Sequence, residues 1–193
     1  MKNFDKHISK WIYDRAHASP VLTFFAIIGA KYMIYLMVLL PLFFLPDVFP
    51  LTSITVDRLK GIALMIGLAW LVTFLLQIAI RRKRPFECKI YEAKIPMMCK
   101  TPSFPSAHAA ISFAAASLCI MGMRSALTWF PGTITPIALL FYVMSVVVLL
   151  VATWISVSRV AVGVHYVSDI IVGSIIGFFL PWIFVIIAFT ISG

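Results

Sequence analysis

Five stretches of this chain, at about 21–45, 60–80, 106–123, 134–156 and 167–190, are long and apolar enough to cross a membrane. A helix needs roughly 20 consecutive apolar residues to span about 30 Å of hydrocarbon, and inside that layer each backbone N–H and C=O must be satisfied within the segment itself. The expected fold is therefore all-α: a polytopic membrane helix bundle with about five transmembrane helices in a single domain over 1–193. Composition agrees, with 62% hydrophobic residues, 12% charged and a mean hydropathy of +1.04. A soluble protein of 21.6 kDa has too little interior to hide that much apolar surface. A water-soluble enzyme, a disordered tail and a disulfide-stapled miniprotein are excluded.

Residues 1–19 are polar, with Phe4, Ile8, Trp11 and Ile12 at helical spacing and Lys2, Lys6, Lys10 and Arg15 between them. The pattern predicts a short helix lying in the interface plane. Its long charged lead, and Lys31 within the next apolar run, argue against a cleaved signal peptide. Gly173 and Gly177 form a small-xxx-small pair, the mark of close helix packing. The net charge of +9 points, in a membrane chain, to anionic headgroups or a phosphate-bearing substrate and not to nucleic acid. Cys88, Cys99 and Cys119 have no metal-ligand spacing. Cys88 and Cys99 share a polar loop and would pair if it faced an oxidising compartment, whereas Cys119 reads as packing.

Five crossings put the N-terminus, the 81–105 loop and the 157–166 turn on one membrane face, and the 46–59 loop, the 124–133 turn and the C-terminus on the other. The chemistry collects on the first face. Asp169 is the one carboxylate after Glu92, and His108 and His165 are the only histidines there; polar groups so placed are costly and point to function. His165 and Asp169 lie four apart, one turn along a helix face. A carboxylate there can hold one imidazole nitrogen and leave the other to attack, although that spacing alone equally fits a pair that merely satisfies itself. Arg159, after Ser158, offers a planar fork suited to phosphate oxygens, or an interface anchor. Pro105-Ser106-Ala107-His108 reads as a helix start whose free amides can cradle phosphate, with His108 placed to protonate a leaving oxygen; taken singly it is only a cap. Arg81-Arg82-Lys83-Arg84-Pro85 alone is a routine basic flank. Together the three clusters supply a nucleophile with its orienter, a proton donor and two arginines, which fits phosphoryl transfer. With no Asp/Glu-rich cage, neither a metal nor another cofactor is expected.

These residues resemble the type 2 phosphatidic-acid phosphatase superfamily, also called the acid phosphatase/vanadium haloperoxidase group. Arg84-Pro85, Pro105-Ser106-Ala107-His108 and the Ser158, Arg159, His165, Asp169 series match its three motifs in order, over about residues 77–170. The resemblance implies that His165 attacks phosphorus to form a phosphohistidine, that Asp169 orients it, and that His108 protonates the leaving group. It implies phosphate binding by Arg84, Ser106 and Arg159, with Ala107 and Ser158 beside them. Two positions depart from the pattern. Ala107 replaces a glycine, and Gln77 stands where the family has a lysine; Gln77 itself, Arg81 or Lys31 are the candidates to substitute for that ammonium.

Within the family, the short five-span plan, the absent lysine and the Ser103-to-His108 stretch are similar to undecaprenyl-diphosphate phosphatases of the bacitracin-resistance type. Phosphatidylglycerophosphate and lipid A phosphatases share the motifs. The expected partners are a lipid phosphate or diphosphate and the surrounding membrane lipids, with no nucleic acid and no obligate protein partner. The alternatives are a lipid phosphotransferase of the same fold and, in a different class, an anion transporter, which would need polar residues through mid-span positions that here are nearly all apolar. The expected location is the cell membrane. Positive charge on the active face would put that face in the cytoplasm, whereas the carrier-lipid resemblance implies the extracytoplasmic face, which is the expectation taken.

Overall fold

A computed structural model describes residues 2–44, 56–95, 101–128 and 136–192. Among them are eight helices and no strand: α1 Lys2–His17, α2 Pro20–Lys31, α3 Met33–Leu39, α4 Pro41–Phe44, α5 Val56–Ile80, α6 Ala107–Thr128, α7 Pro136–Ala161 and α8 Val167–Ser192. Four are long and apolar enough to span, and α2 with the segment from Met33, bent by 42°, makes a fifth when the pair is counted as one span. The all-α membrane bundle of four to five spans is thus the observed architecture. Most of the 46–59 loop, part of the 124–133 turn, and Cys99 lie outside the described residues.

Two differences from the sequence reading bear on the site. The first span breaks at Tyr32, because the Arg159 guanidinium donates through Nη1 to the Ala30 carbonyl at 2.9 Å, and a side chain that enters the hydrogen-bond ladder is a recognised cause of a kink. The fourth span continues five residues beyond its expected end at 156, to Ala161, so Ser158 and Arg159 stand in the last turns of α7. The chain then turns at Gly163, whose φ of +83° suits glycine.

Helix α6 is the centre. Its spanning window is 61% buried, against 17–28% for the other straight spans. Its inward positions are small, with Ala109, Ala110, Ala114, Ala115, Ala116, Ser112 and Ser117 fully enclosed. Small side chains let neighbouring backbones approach, which is how helices associate where lipid supplies no hydrophobic drive. Helix α8 makes the closest approach: a methyl on Gly177 would overlap the Ala110 backbone, and one on Gly173 the Ser106 carbonyl. The outward faces of α5, α7 and α8 carry exposed leucine, isoleucine, valine and phenylalanine, the lipid-facing surface. Helix α1 packs on α2, α7 and α8 and leaves Phe4 and Trp11 exposed.

Gly177→Ala is expected to cost about 1–3 kcal/mol through overpacking, read as a lowered thermal midpoint in detergent. Gly67→Ala, where nothing lies within 4 Å of the new methyl, is expected to cost nothing.

Candidate active site

The basic loop, the α6 start and the α7–α8 turn meet at one end of the bundle. Two ties and a helix cap hold them. Gln77 Nε2, on α5, donates to the Pro105 carbonyl at 2.8 Å. Ser106 N–H donates to the Asp169 carbonyl at 3.0 Å, and the Ser106 hydroxyl accepts from Ala109 N–H at 3.4 Å. Ser106 therefore caps α6 from the position just before its first residue, as the Pro-Ser pair predicts.

His165 precedes α8 and is almost fully enclosed. Its Nδ1 lies 2.8 Å from the Ser103 carbonyl and 3.4 Å from Asp169 Oδ2. A carbonyl only accepts, so Nδ1 carries the proton and Nε2 the lone pair. Arg84 Nη1 approaches that Nε2 at 3.3 Å. Burial is the largest influence on the ring and pulls its pKa down to about 4, against the hydrogen bond accepted by Asp169, which raises it. The imidazole is accordingly neutral around pH 7, with Nε2 facing the arginine. The sequence assigns the orienting hydrogen bond to Asp169 directly; the shorter bond belongs to Ser103, and Asp169 holds Ser103 by accepting from its hydroxyl.

Asp169 is fully buried and also accepts from Tyr166 N–H at 2.8 Å and from Arg82 Nη1 at 2.7 Å. Arg82, Ser103 and Thr101 are absent from the motif reading. In the sequence Arg82 is hidden among four consecutive basic residues that look like a membrane flank, and no periodicity distinguishes Ser103 or Thr101.

Among the described residues, two buried guanidiniums have no carboxylate partner. Arg84, 3% exposed, spends its side-chain donors on the Thr101 carbonyl at 2.8 Å, the Thr101 hydroxyl at 3.0 Å, the Val164 carbonyl at 3.0 Å and His165. Arg159, 4% exposed, reaches the Ala30 carbonyl through Nη1, while its buried Nε has no hydrogen-bond partner. A buried donor left unmade costs about 1–3 kcal/mol, and a buried cation needs a counter-charge. The two buried cations lie within electrostatic range of each other, an arrangement that suits an anion. His108, half-buried on the first turn of α6, lies within electrostatic range of Arg159, His165 and Arg84.

The remaining candidates fall elsewhere. Ser158 is buried on α7 against Gly29, where a methyl would strike its hydroxyl, so it sits in the α2–α7 contact. Ala107 is the first residue of α6. Arg81 is exposed, has φ +50° and donates through Nε to the Ile78 carbonyl of its own helix at 3.0 Å. Lys31 is exposed, with its ammonium 5.0 Å from the Tyr32 ring centroid. Neither replaces the absent lysine by contact with His165, Arg84 or Arg159, and Gln77 is committed to the Pro105 carbonyl. Among the described residues no group of three or more His, Cys, Asp or Glu side chains could hold a metal.

Residues 58–192 match the PAP2 superfamily, and the chain belongs to it. Two solved structures share its fold. One is the transmembrane PAP2 type phosphatidylglycerolphosphate phosphatase from Bacillus subtilis, at 21% identity and TM-score 0.68, covering 94% of this chain and 83% of that one. The other is Aquifex aeolicus LpxE, at 21% identity and TM-score 0.54, covering 92% of each chain. No curated protein matches the chain.

The buried ring makes a spectroscopic prediction. In ¹⁵N-histidine protein, with His165→Ala identifying the signal, the His165 ring is expected to stay in the neutral Nδ1–H form from neutral pH down to about pH 5. A midpoint at the ordinary 6.5 would contradict the geometry.

Proposed function

We propose that the protein is a membrane lipid phosphatase that works through a phosphohistidine. The carrying observation is that the buried Arg84 places Nη1 3.3 Å from the His165 Nε2 lone pair, with the buried Arg159 within electrostatic range of both and neither guanidinium paired to a carboxylate. In this reading a phosphate group lies between them, with its oxygens on Arg84, Arg159 and the α6 amides beside Ser106. His165 Nε2 attacks phosphorus, the bond to the leaving oxygen breaks, and His108 passes that oxygen a proton. Water then gives a proton to His108 and its oxygen displaces His165, releasing inorganic phosphate. Fixed donors aimed at the phosphoryl oxygens carry the charge of the transition state. The reaction uses no metal.

The substrate class follows from position. The site lies at the end of a bundle whose outer surface is apolar, so a phosphate on a lipid reaches it with the tail still in the bilayer. Undecaprenyl diphosphate is the proposed substrate, on the short five-span plan and the Gln77 departure. Phosphatidylglycerolphosphate, named for the Bacillus subtilis protein of the same fold, is the second candidate.

His165→Ala is expected to abolish phosphate release, by at least about 10³-fold, from undecaprenyl diphosphate in EDTA, with an unchanged thermal midpoint. Wild-type turnover by the variant would overturn the reading, and loss of wild-type turnover in EDTA would overturn the metal-free route. His108→Ala is expected to lose far less on a phenyl phosphate whose leaving group needs no proton.

We place the site on the extracytoplasmic face. Cys88 is exposed in the active-site loop, so in a Cys99→Ser background an impermeant maleimide is expected to label it in intact cells. Labelling only after lysis would put the site in the cytoplasm.

A further inference from the structure

The N-terminus of α8 is capped by another helix. An α-helix leaves its first amides without intrahelical partners. Here Val167 N–H donates to the Ser9 hydroxyl at 3.0 Å and Ser168 N–H to Asp5 Oδ1 at 3.0 Å, while the Ser168 hydroxyl donates to Asp5 Oδ2 at 2.6 Å. Ser9 and Asp5 are one turn apart on α1, and Ser9 is fully buried.

The same carboxylate reaches the active site through Arg82. Arg82 Nη2 donates to Asp5 Oδ2 at 2.5 Å, and Nη1 to Asp169 Oδ1 at 2.7 Å and the Ser168 hydroxyl at 2.6 Å. Its guanidinium carbon sits 4.0 Å from the Tyr166 ring centroid. One guanidinium thus bridges two carboxylates from opposite ends of the chain. Asp169 divides its oxygens accordingly: Oδ1 takes Arg82, and Oδ2 takes Ser103, Tyr166 N–H and the edge of His165. Pinning Oδ1 fixes the carboxylate plane, and that plane aims Oδ2 at the segment whose carbonyl holds the His165 proton. The Arg82 side chain is 25% exposed. Without Asp5 its Nη2 loses its partner, and the guanidinium plane that pins Asp169 Oδ1 is held only through Nη1 and the Tyr166 ring.

We infer that Asp5 and Arg82 are positioning residues of the reaction: α1, through the Asp5–Arg82–Asp169 chain, holds the attacking imidazole in its productive orientation. This rests on His165 being the nucleophile, and the test separates the two ideas.

Full-length protein in detergent is assayed on undecaprenyl diphosphate, with phosphatidic acid as a second probe, as wild type, Asp5→Asn, Arg82→Gln, Asp14→Asn and His165→Ala. Asp14 bonds Lys10 at the exposed surface of the same helix, so Asp14→Asn serves as the neutral control. Asp5→Asn and Arg82→Gln are expected to lower kcat roughly ten- to a hundredfold, since small misplacements of reacting groups cost that much. KM should stay within about threefold and the thermal midpoint near wild type, while the His165 ¹⁵N signal loses its single Nδ1–H form. Wild-type kcat in Asp5→Asn, or a fall matched by loss of folded protein with the His165 signal intact in the remainder, would overturn the inference. Inactive His165→Ala beside fully active Asp5→Asn sinks this inference alone. Active His165→Ala sinks the phosphohistidine reading, and the His165 signal then still reports whether Asp5 aims the ring.

Discussion

A fully buried carboxylate organises this end of the molecule. Asp169 has no water to solvate it, and an ion moved into a low-dielectric interior carries a penalty of several kcal/mol unless donors surround it. Those donors come from separated parts of the chain: Arg82 and Ser103 from the loop between α5 and α6, and the Tyr166 amide and His165 ring from the turn before α8. The loop cannot depart without stranding the charge. Arg82 and Ser103 are thereby tied to the α8 start, and the His165 ring donates to the Ser103 carbonyl.

The bundle makes that convergence geometrically available. Asp169 and Ser106 stand at the starts of different spans, and they meet because α6 presents alanine and serine where α8 presents Gly173 and Gly177. With larger side chains the two helix starts would separate by more than a hydrogen bond tolerates, and the Ser106 amide would lose the Asp169 carbonyl. Close packing between α6 and α8 is thus a condition of the chemistry as much as of stability.

The sequence made the spans legible because twenty apolar residues in a row admit few physical readings. His108, His165 and Asp169 are legible because ionisable groups are scarce in such a chain and therefore conspicuous, whereas Arg84, Ser106 and Arg159 stand out only through the order of the three motifs. What stayed hidden depends on three dimensions. Asp5 is one acidic residue on a basic helix that reads as a surface element; its pairing with Arg82 spans 77 positions. Arg82 is indistinguishable in sequence from Arg81, yet the turn at φ +50° sends Arg81 back to its own helix end while Arg82 enters the site. Ser158 illustrates the reverse: its motif position suggests phosphate, and its packing against Gly29 assigns it to a helix contact.

The departure at Gln77 has a physical consequence. A lysine there would bring a third charge beside Arg84 and Arg159, whereas the glutamine amide donates to the Pro105 carbonyl and fixes the start of α6. Arg82 does not compensate, because Asp5 and Asp169 already share its charge. In the proposed reaction the incoming phosphate is met by two guanidiniums, one of which keeps an unmatched donor at Nε. Both have planar, directional donors, unlike an ammonium, which acts as a point charge. Recognition at such a site depends more on the orientation of the phosphate oxygens than on summed charge, and that is the setting in which a ring aimed from as far away as α1 matters most.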